Sequence, residues 1–364
     1  MLELADIFRD AGPVYVQRFG DLMLPSHRRV LHDVVACRTA ALGGHMYRCE
    51  GCGLEHAVYH SCRNRHCPKC QGDRAETWLQ RQRELLLPSP YGLATCTLPA
   101  GLRDIARSHQ RAVYSILMHE AAHALLELVG NRRLVGGLTG VMAVLHTWSR
   151  ALIFHPHVHM LFPVGGLLDG DTWLMPPKRT YILPGYALAK RFRERVEAAF
   201  RRVGLYDLVP RCVWRQRWVA NVKRVGDGDT ALLYLSRYVF RVAISNPRIR
   251  AFDGELVSFT STTRGGATVR HTIHAQEFIR RFLLHVLPRY FVKVRYYGLW
   301  ATSNRHHLAT ARTILEHHLV ATSITLHPNR SPRPATPAHT LLCPRCGAPF
   351  TNPPRTIPRS RPPP

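Results

Sequence analysis

Apolar and polar positions alternate along the chain in two distinct rhythms, which sort it into strands and helices. Residues 91–98 (YGLATCTL) are a short apolar run that predicts a buried strand. Residues 102–129 repeat apolar side chains at three- and four-residue spacing and predict a helix. The runs 141–148 and 154–164 predict two more strands. Residues 186–203 predict an amphipathic helix, 212–222 an alternating strand, and 230–243 another helix. Residues 256–262 and 267–273 predict a hairpin turning at Arg264, Gly265 and Gly266. Helical spacing returns at 276–287 and 304–319. Strands mixed with helices, without strict alternation, predict an α+β fold.

Three regions separate along this pattern. Residues 1–90 hold six of the ten cysteines and read as a helical, metal-binding domain. Residues 91–325 carry the mixed strands and helices. Residues 326–364 hold 12 of the 26 prolines, and no acid follows Glu316, so this tail is expected to be mostly disordered.

Composition narrows the function. At 364 residues and 46% hydrophobic content, the chain has ample material for a core. It has no run of 18 apolar residues and no signal-peptide core in its first thirty residues. A cytoplasmic protein without a membrane partner is expected. Lys and Arg number 50 against 24 Asp and Glu, a formal charge of +26. Phosphate neutralisation by such an excess drives nucleic-acid binding. Ten cysteines in such a compartment point to metal rather than disulfides.

Cys49-x2-Cys52 and Cys67-x2-Cys70, with fourteen residues between them, predict one tetrahedral Zn²⁺ site. Cys37, His45, Cys62 and His66 are candidates for a second zinc, with His56 and His60 as alternatives. The basic segment 61–66 offers Arg63 and Arg65 to DNA. Cys343-x2-Cys346 is half a knuckle, either a metal site awaiting a partner or an unpaired remnant.

Two motifs carry chemistry. In His155-Pro156-His157-Val158-His159, strand alternation places three imidazoles on one face, a poor core and a good cage for a divalent ion. His155 is the expected third ligand, with His146 on the preceding strand as the alternative. Tyr234 and Tyr238 are four apart in a predicted helix and so share a face. A phenol with pKa near 10 attacks phosphate at neutral pH only if the phosphate is polarised, which a metal ion accomplishes. Packing of the two rings against a sheet is the competing reading.

Together these residues resemble the insertion sequence 91 family of transposases, HUH proteins with two tyrosines. The resemblance covers about residues 30–320. It includes CRTAALGGHMYRCEGCG at 37–53, SCRNRHCPKCQ at 61–71, the CTLP stretch at 96–99, LHTWSRALIFHPHVHMLFPVGG at 145–166, YLSRYVFRVAISN at 234–246 and RFLLHVLPRYFVKVRYYGLWA at 281–301. It implies an HUH endonuclease domain, an antiparallel sheet with helices, beside a small zinc-binding domain. His157 and His159 would be the paired ligands of Mg²⁺ or Mn²⁺, and Tyr234 or Tyr238 the nucleophile. Cleavage would leave a 5′-phosphotyrosine and a free 3′-OH during rolling-circle-like transposition. The implied partner is single-stranded DNA in a bacterial nucleoid, with no small-molecule substrate.

Arg237 and Arg241 would flank the nucleophile and hold phosphates. Arg295 opens a basic-aromatic string at 295–300 that could stack bases or pack as a strand. A three-carboxylate transposase is disfavoured, because the acids between 141 and 300 are few and most sit in turn-like or surface-helix contexts. A replication initiator or relaxase would share the chemistry. A zinc-dependent DNA-binding regulator would explain the cysteines and the charge, not the histidines with the tyrosines.

Overall fold

The apolar runs at 91–98, 141–148 and 154–164 form the three inner strands of an antiparallel sheet. This is seen in a computed structural model that describes residues 2–70, 72–177, 183–239, 243–263, 265–321 and 341–360. The side chains of residues 72–75, 237, 238 and 319–321 lie outside that description. Numbered in chain order, the inner strands are β3 (Tyr91–Thr97), β4 (Gly140–Trp148) and β5 (Phe154–Pro163). The edges are β8 (Val219–Arg224) and β12 (Val294–Gly298), giving the order β12-β4-β5-β3-β8. The fold is α+β, as the pattern predicted.

Register decides which side chains meet. His157 pairs with His146 on β4 and Thr97 on β3; His159 pairs with Val144 and Thr95. Leu93 pairs with Leu161 on one side and Lys223 on the other. Directly paired residues share a face, so His146, His157, His159, Thr95 and Lys223 lie on one side of the sheet. Helix α8 (Gly228–Val239) covers that side, burying Leu232, Leu235 and Val239 among Leu93, Met142, Val144 and Leu161. Against the other side, α5 (Gln110–Gly130) packs on β4 and β5, and α6 (Gly185–Arg202) packs on β8. Helix α5 is long and apolar enough to cross a membrane by length and composition. Here it is a core helix, with more than half of its most apolar window buried.

Two expected elements differ. The helix at 102–129 breaks at His109 into α4 (Arg103–Ser108) and α5. The strand expected over 212–222 is a short helix, α7 (Arg211–Arg215), followed by β8. Val213 and Trp214 are both buried although adjacent, which a half-buried strand does not permit. The same unit contains the small hairpin β6 (Gly166–Leu168) and β7 (Thr172–Leu174), and α10 (Arg305–Ala321). Helix α3 (Gly72–Arg83) leads into it.

By contact the chain forms two units: residues 1–74, 241–286 and 327–364, and residues 75–240 and 287–326. The cuts expected at 90 and 325 therefore do not follow the folding units. Residues 241–286 join the first because α1 (Leu4–Phe19) packs on α9 (Ala275–Leu283), with Phe8 edge-on to Phe282 at 5.2 Å. That unit also contains α2 (Pro25–Ala36) and a sheet of β9 (Ile249–Phe252), β10 (Leu256–Thr262) and β11 (Thr268–His274). The last two are the predicted hairpin.

The tail is also corrected in part. Residues 341–360 are folded, and β13 (Arg355–Ile357) pairs with β1 (Gly44–Arg48), which in turn pairs with β2 (Glu55–Tyr59). Residues 326–340 and 361–364 of the expected disordered segment lie outside the described residues.

Candidate active site and metal centres

The sheet register brings His146, His157 and His159 together, with one ring nitrogen of each within 4.8 Å of the others. His157 Nδ1 donates to the carbonyl oxygen of His155 at 2.6 Å, which leaves Nε2 as its free donor to a metal. His159 Nδ1 pairs with Thr95 Oγ1 at 3.0 Å, which orients the ring within the cluster. Burial holds the pKa of His157 down at about 4 and that of His159 at about 3. After burial, neighbouring His157 and then the Lys223 ammonium lower His159 further. Both rings are therefore neutral at physiological pH, the form a metal requires.

His155, the expected third ligand, is not in this group. Between the pairs His146–His157 and Trp148–Phe154, β5 has one residue more than β4. Pro156, which has no N–H for the ladder, sits in this irregularity. The ring of His155 accepts a hydrogen bond at Nδ1 from Arg103 at 3.1 Å. A guanidinium at that distance opposes a cation on the same ring. His146 takes the third place, fixed by stacking on Trp148 at 5.2 Å.

Helix α8 presents Tyr234, half-buried against the apolar cluster under the helix. Lys223 Nζ lies 5.1 Å from the centre of its ring. The same ammonium acts on His159, so one cation links the phenol to the imidazole cluster. Tyr238 follows one turn later in α8, but its side chain and that of Arg237 lie outside the described residues, as does Arg241. Arg295 donates to Ser115 Oγ at 3.1 Å and lies 5.1 Å over the Phe291 ring, so it packs within its unit. Sequence reasoning missed Lys223, and it placed Thr95 only within the strand expected over 91–98. Thr95 immediately precedes the CTLP stretch, and strand register sets it opposite His159.

The cysteines are regrouped. The expected quartet of Cys49, Cys52, Cys67 and Cys70 does not form. Cys67 and Cys70 instead join Cys37 and Cys62, with Sγ–Sγ distances of 3.4 Å for Cys37–Cys70 and 3.6 Å for Cys62–Cys70. Cys49 and Cys52 join Cys343 and Cys346. Of the second set proposed from sequence, Cys37 and Cys62 converge, while His45 and His66 are in neither quartet. His45 stacks edge-on to His60 at 5.1 Å. In the first quartet, backbone N–H groups of Cys62 and Asn64 donate to the sulfurs of Cys37 and Cys62, which favours thiolates. Four thiolates at this spacing fit tetrahedral zinc. Of the predicted DNA contacts beside it, Arg63 is exposed at φ 55° and Arg65 is half-buried. Among the described residues, the groups able to hold a metal are these two quartets and the histidine triad, with no carboxylate cluster.

Comparison with known proteins agrees with this layout. A family described as "Putative transposase" matches residues 140–307, which contain the histidines and Tyr234. A family described as "Transposase zinc-binding domain" matches residues 7–98. "Putative transposase y4qJ" of Sinorhizobium fredii is 37% identical over 349 residues, 90% of this chain and 87% of the relative. "Transposase for insertion sequence element IS801" of Pseudomonas savastanoi pv. phaseolicola is 25% identical over 291 residues, 74% of this chain and 68% of the relative. No solved structure matches the chain. With a zinc-binding region, a histidine triad and a tyrosine helix in the matched segments, the chain belongs to the insertion sequence 91 (IS91) family of transposases.

Proposed function

We propose that this transposase cuts and rejoins single-stranded DNA through a 5′-phosphotyrosine, in a rolling-circle-like route. The observation that carries the reading is the convergence of His146, His157 and His159 on the sheet face beneath α8, with Lys223 on the same face near the Tyr234 ring and acting on His159. A Mg²⁺ or Mn²⁺ ion held by the three imidazoles would polarise a non-bridging oxygen of the scissile phosphate. The phenol of Tyr234 gives its proton to solvent, helped by the adjacent ammonium of Lys223. Its oxygen then bonds to phosphorus as the P–O3′ bond breaks, and the departing 3′ oxygen takes up a proton. One phosphodiester replaces another, so the bond energy is kept for rejoining. Tyr238, one helical turn away, serves as the second nucleophile, so a second cleavage need not hydrolyse the first linkage.

The test incubates the full chain with Mn²⁺ and labelled single-stranded DNA carrying the element ends. A covalent protein–DNA adduct forms, and the Tyr234→Phe, Tyr238→Phe double variant loses it. Adduct persisting in that double variant sinks the proposal, as does an adduct made equally well in excess chelator.

A further inference from the structure

We infer that Cys49, Cys52, Cys343 and Cys346 form a second, structural zinc centre that binds the C-terminal segment into the zinc-binding unit. The matched zinc-binding family ends at residue 98, so two of these four thiols lie outside it.

The two halves are the same turn made twice. The strings Cys49-Glu50-Gly51-Cys52-Gly53-Leu54 and Cys343-Pro344-Arg345-Cys346-Gly347-Ala348 align residue for residue. The N–H of Cys49 donates to the Leu54 carbonyl at 2.9 Å, and that of Cys343 to the Ala348 carbonyl at 2.8 Å. The N–H of Gly53 donates to the Cys49 carbonyl at 2.9 Å, and that of Gly347 to the Cys343 carbonyl at 2.9 Å. Each turn closes through a glycine in the left-handed region, at φ 71° for Gly53 and 74° for Gly347. Each therefore presents two sulfurs in the same geometry.

The turns face one another. Sγ of Cys49 is 3.5 Å from that of Cys346, and Sγ of Cys52 is 3.6 Å from that of Cys343. A disulfide would need about 2.05 Å. A tetrahedron with Zn–S bonds of about 2.3 Å has S–S edges of about 3.8 Å. The observed spacing is that of a metal tetrahedron. Four protein ligands leave no open position, so the centre is structural and takes Zn²⁺ or another thiophilic dication of its size.

The surroundings fit a clasp. Phe350, just past the second turn, contacts Tyr47 at 5.4 Å and stacks on His56 at 6.1 Å. Thr351 Oγ1 donates to Glu50 at 2.9 Å. Strand β13 then adds to the edge of β1. A short three-residue strand gives little stability alone, whereas a metal joining residues 291 apart in sequence fixes it in register.

Two measurements on the full-length protein test the clasp. Elemental analysis of protein purified without chelator should find two zinc ions per chain. The Cys343→Ser, Cys346→Ser variant should hold one. The second uses unaltered protein, so folding of a variant does not enter. Cys346 and Cys212 are both exposed, so accessibility alone predicts that both alkylate at once. With zinc bound, Cys212 should react and Cys346 should be protected; strong chelator should bring Cys346 to the rate of Cys212. One zinc in the unaltered chain, equal alkylation of both thiols with zinc present, or a non-reduced mass lighter by four hydrogens would each overturn the inference.

Discussion

At the residue scale, Lys223 bears most directly on the proposed chemistry. Its ammonium lies 5.1 Å from the Tyr234 ring and also acts on His159. A cation there favours the phenolate over the phenol. Replacing it with Met should slow adduct formation roughly tenfold near neutral pH and move the alkaline limb of the pH–rate profile upward. Lys223→Arg should restore most of the rate. An equal loss at every pH, with no shift of the limb, would mean that Lys223 only packs. Thr95→Val keeps the volume but removes the partner of His159 Nδ1. It should weaken Mn²⁺ binding by about tenfold in calorimetry, as the loss of a group orienting a ligand does. His157, His159 and Tyr234 were legible because alternation and helical spacing are local. Lys223 was not, because in the run Lys223-Arg224 a lysine looks like any cation guarding a sheet edge. Alternation along one strand pointed to His155 ahead of His146. Arg103, from a separate helix, separates them.

At the element scale, α5 and α6 are joined by charge. Glu120 on α5 is buried and meets Arg195 at 2.8 Å and Arg202 at 2.9 Å, both from α6. Glu127, a near-two-turn step further, pairs with Arg191 and again with Arg195. Several cations of the amphipathic helix expected over 186–203 are thus neutralised against the neighbouring helix. A carboxylate this buried is costly to lose, because the arginines facing it lose their partner. Glu120→Gln should lower stability by about 2 kcal/mol in urea unfolding, discounted because Arg202 is largely exposed. Mn²⁺ binding should be unchanged, since the histidines lie on the other face of the sheet. An unchanged unfolding midpoint would refute the clamp. Strand β12 bears on a reading that sequence left open. Its aromatic-basic string pairs with β4, and Arg295 is engaged by Ser115 and Phe291. Alternating aromatic and basic residues fit a packed edge strand as well as a stacking platform, so only the pairing partner could decide.

At the scale of the whole molecule, the cysteines set the limit of what could be read. A Cys-x2-Cys spacing announces half a site and says nothing of its other half. Three such halves, with Cys37 and Cys62, permit several pairings, and strand register in the first unit selects one. The selected pairing also revises the charge. Eight thiolates and two zinc ions would lower the formal +26 by four, which leaves a strongly cationic surface. That surplus needs phosphates to explain it, and counterion release makes the claim measurable. If a single strand engages about six phosphates, log K should fall against log salt with a slope of about −4. Raising salt from about 50 to 200 mM should then weaken binding by roughly 300-fold, read by fluorescence anisotropy with labelled single strands. The Tyr234→Phe, Tyr238→Phe variant should give the same slope, because affinity resides in the cations and chemistry in the phenols. A slope shallower than about −2 would show that most of the surplus charge never meets the DNA backbone.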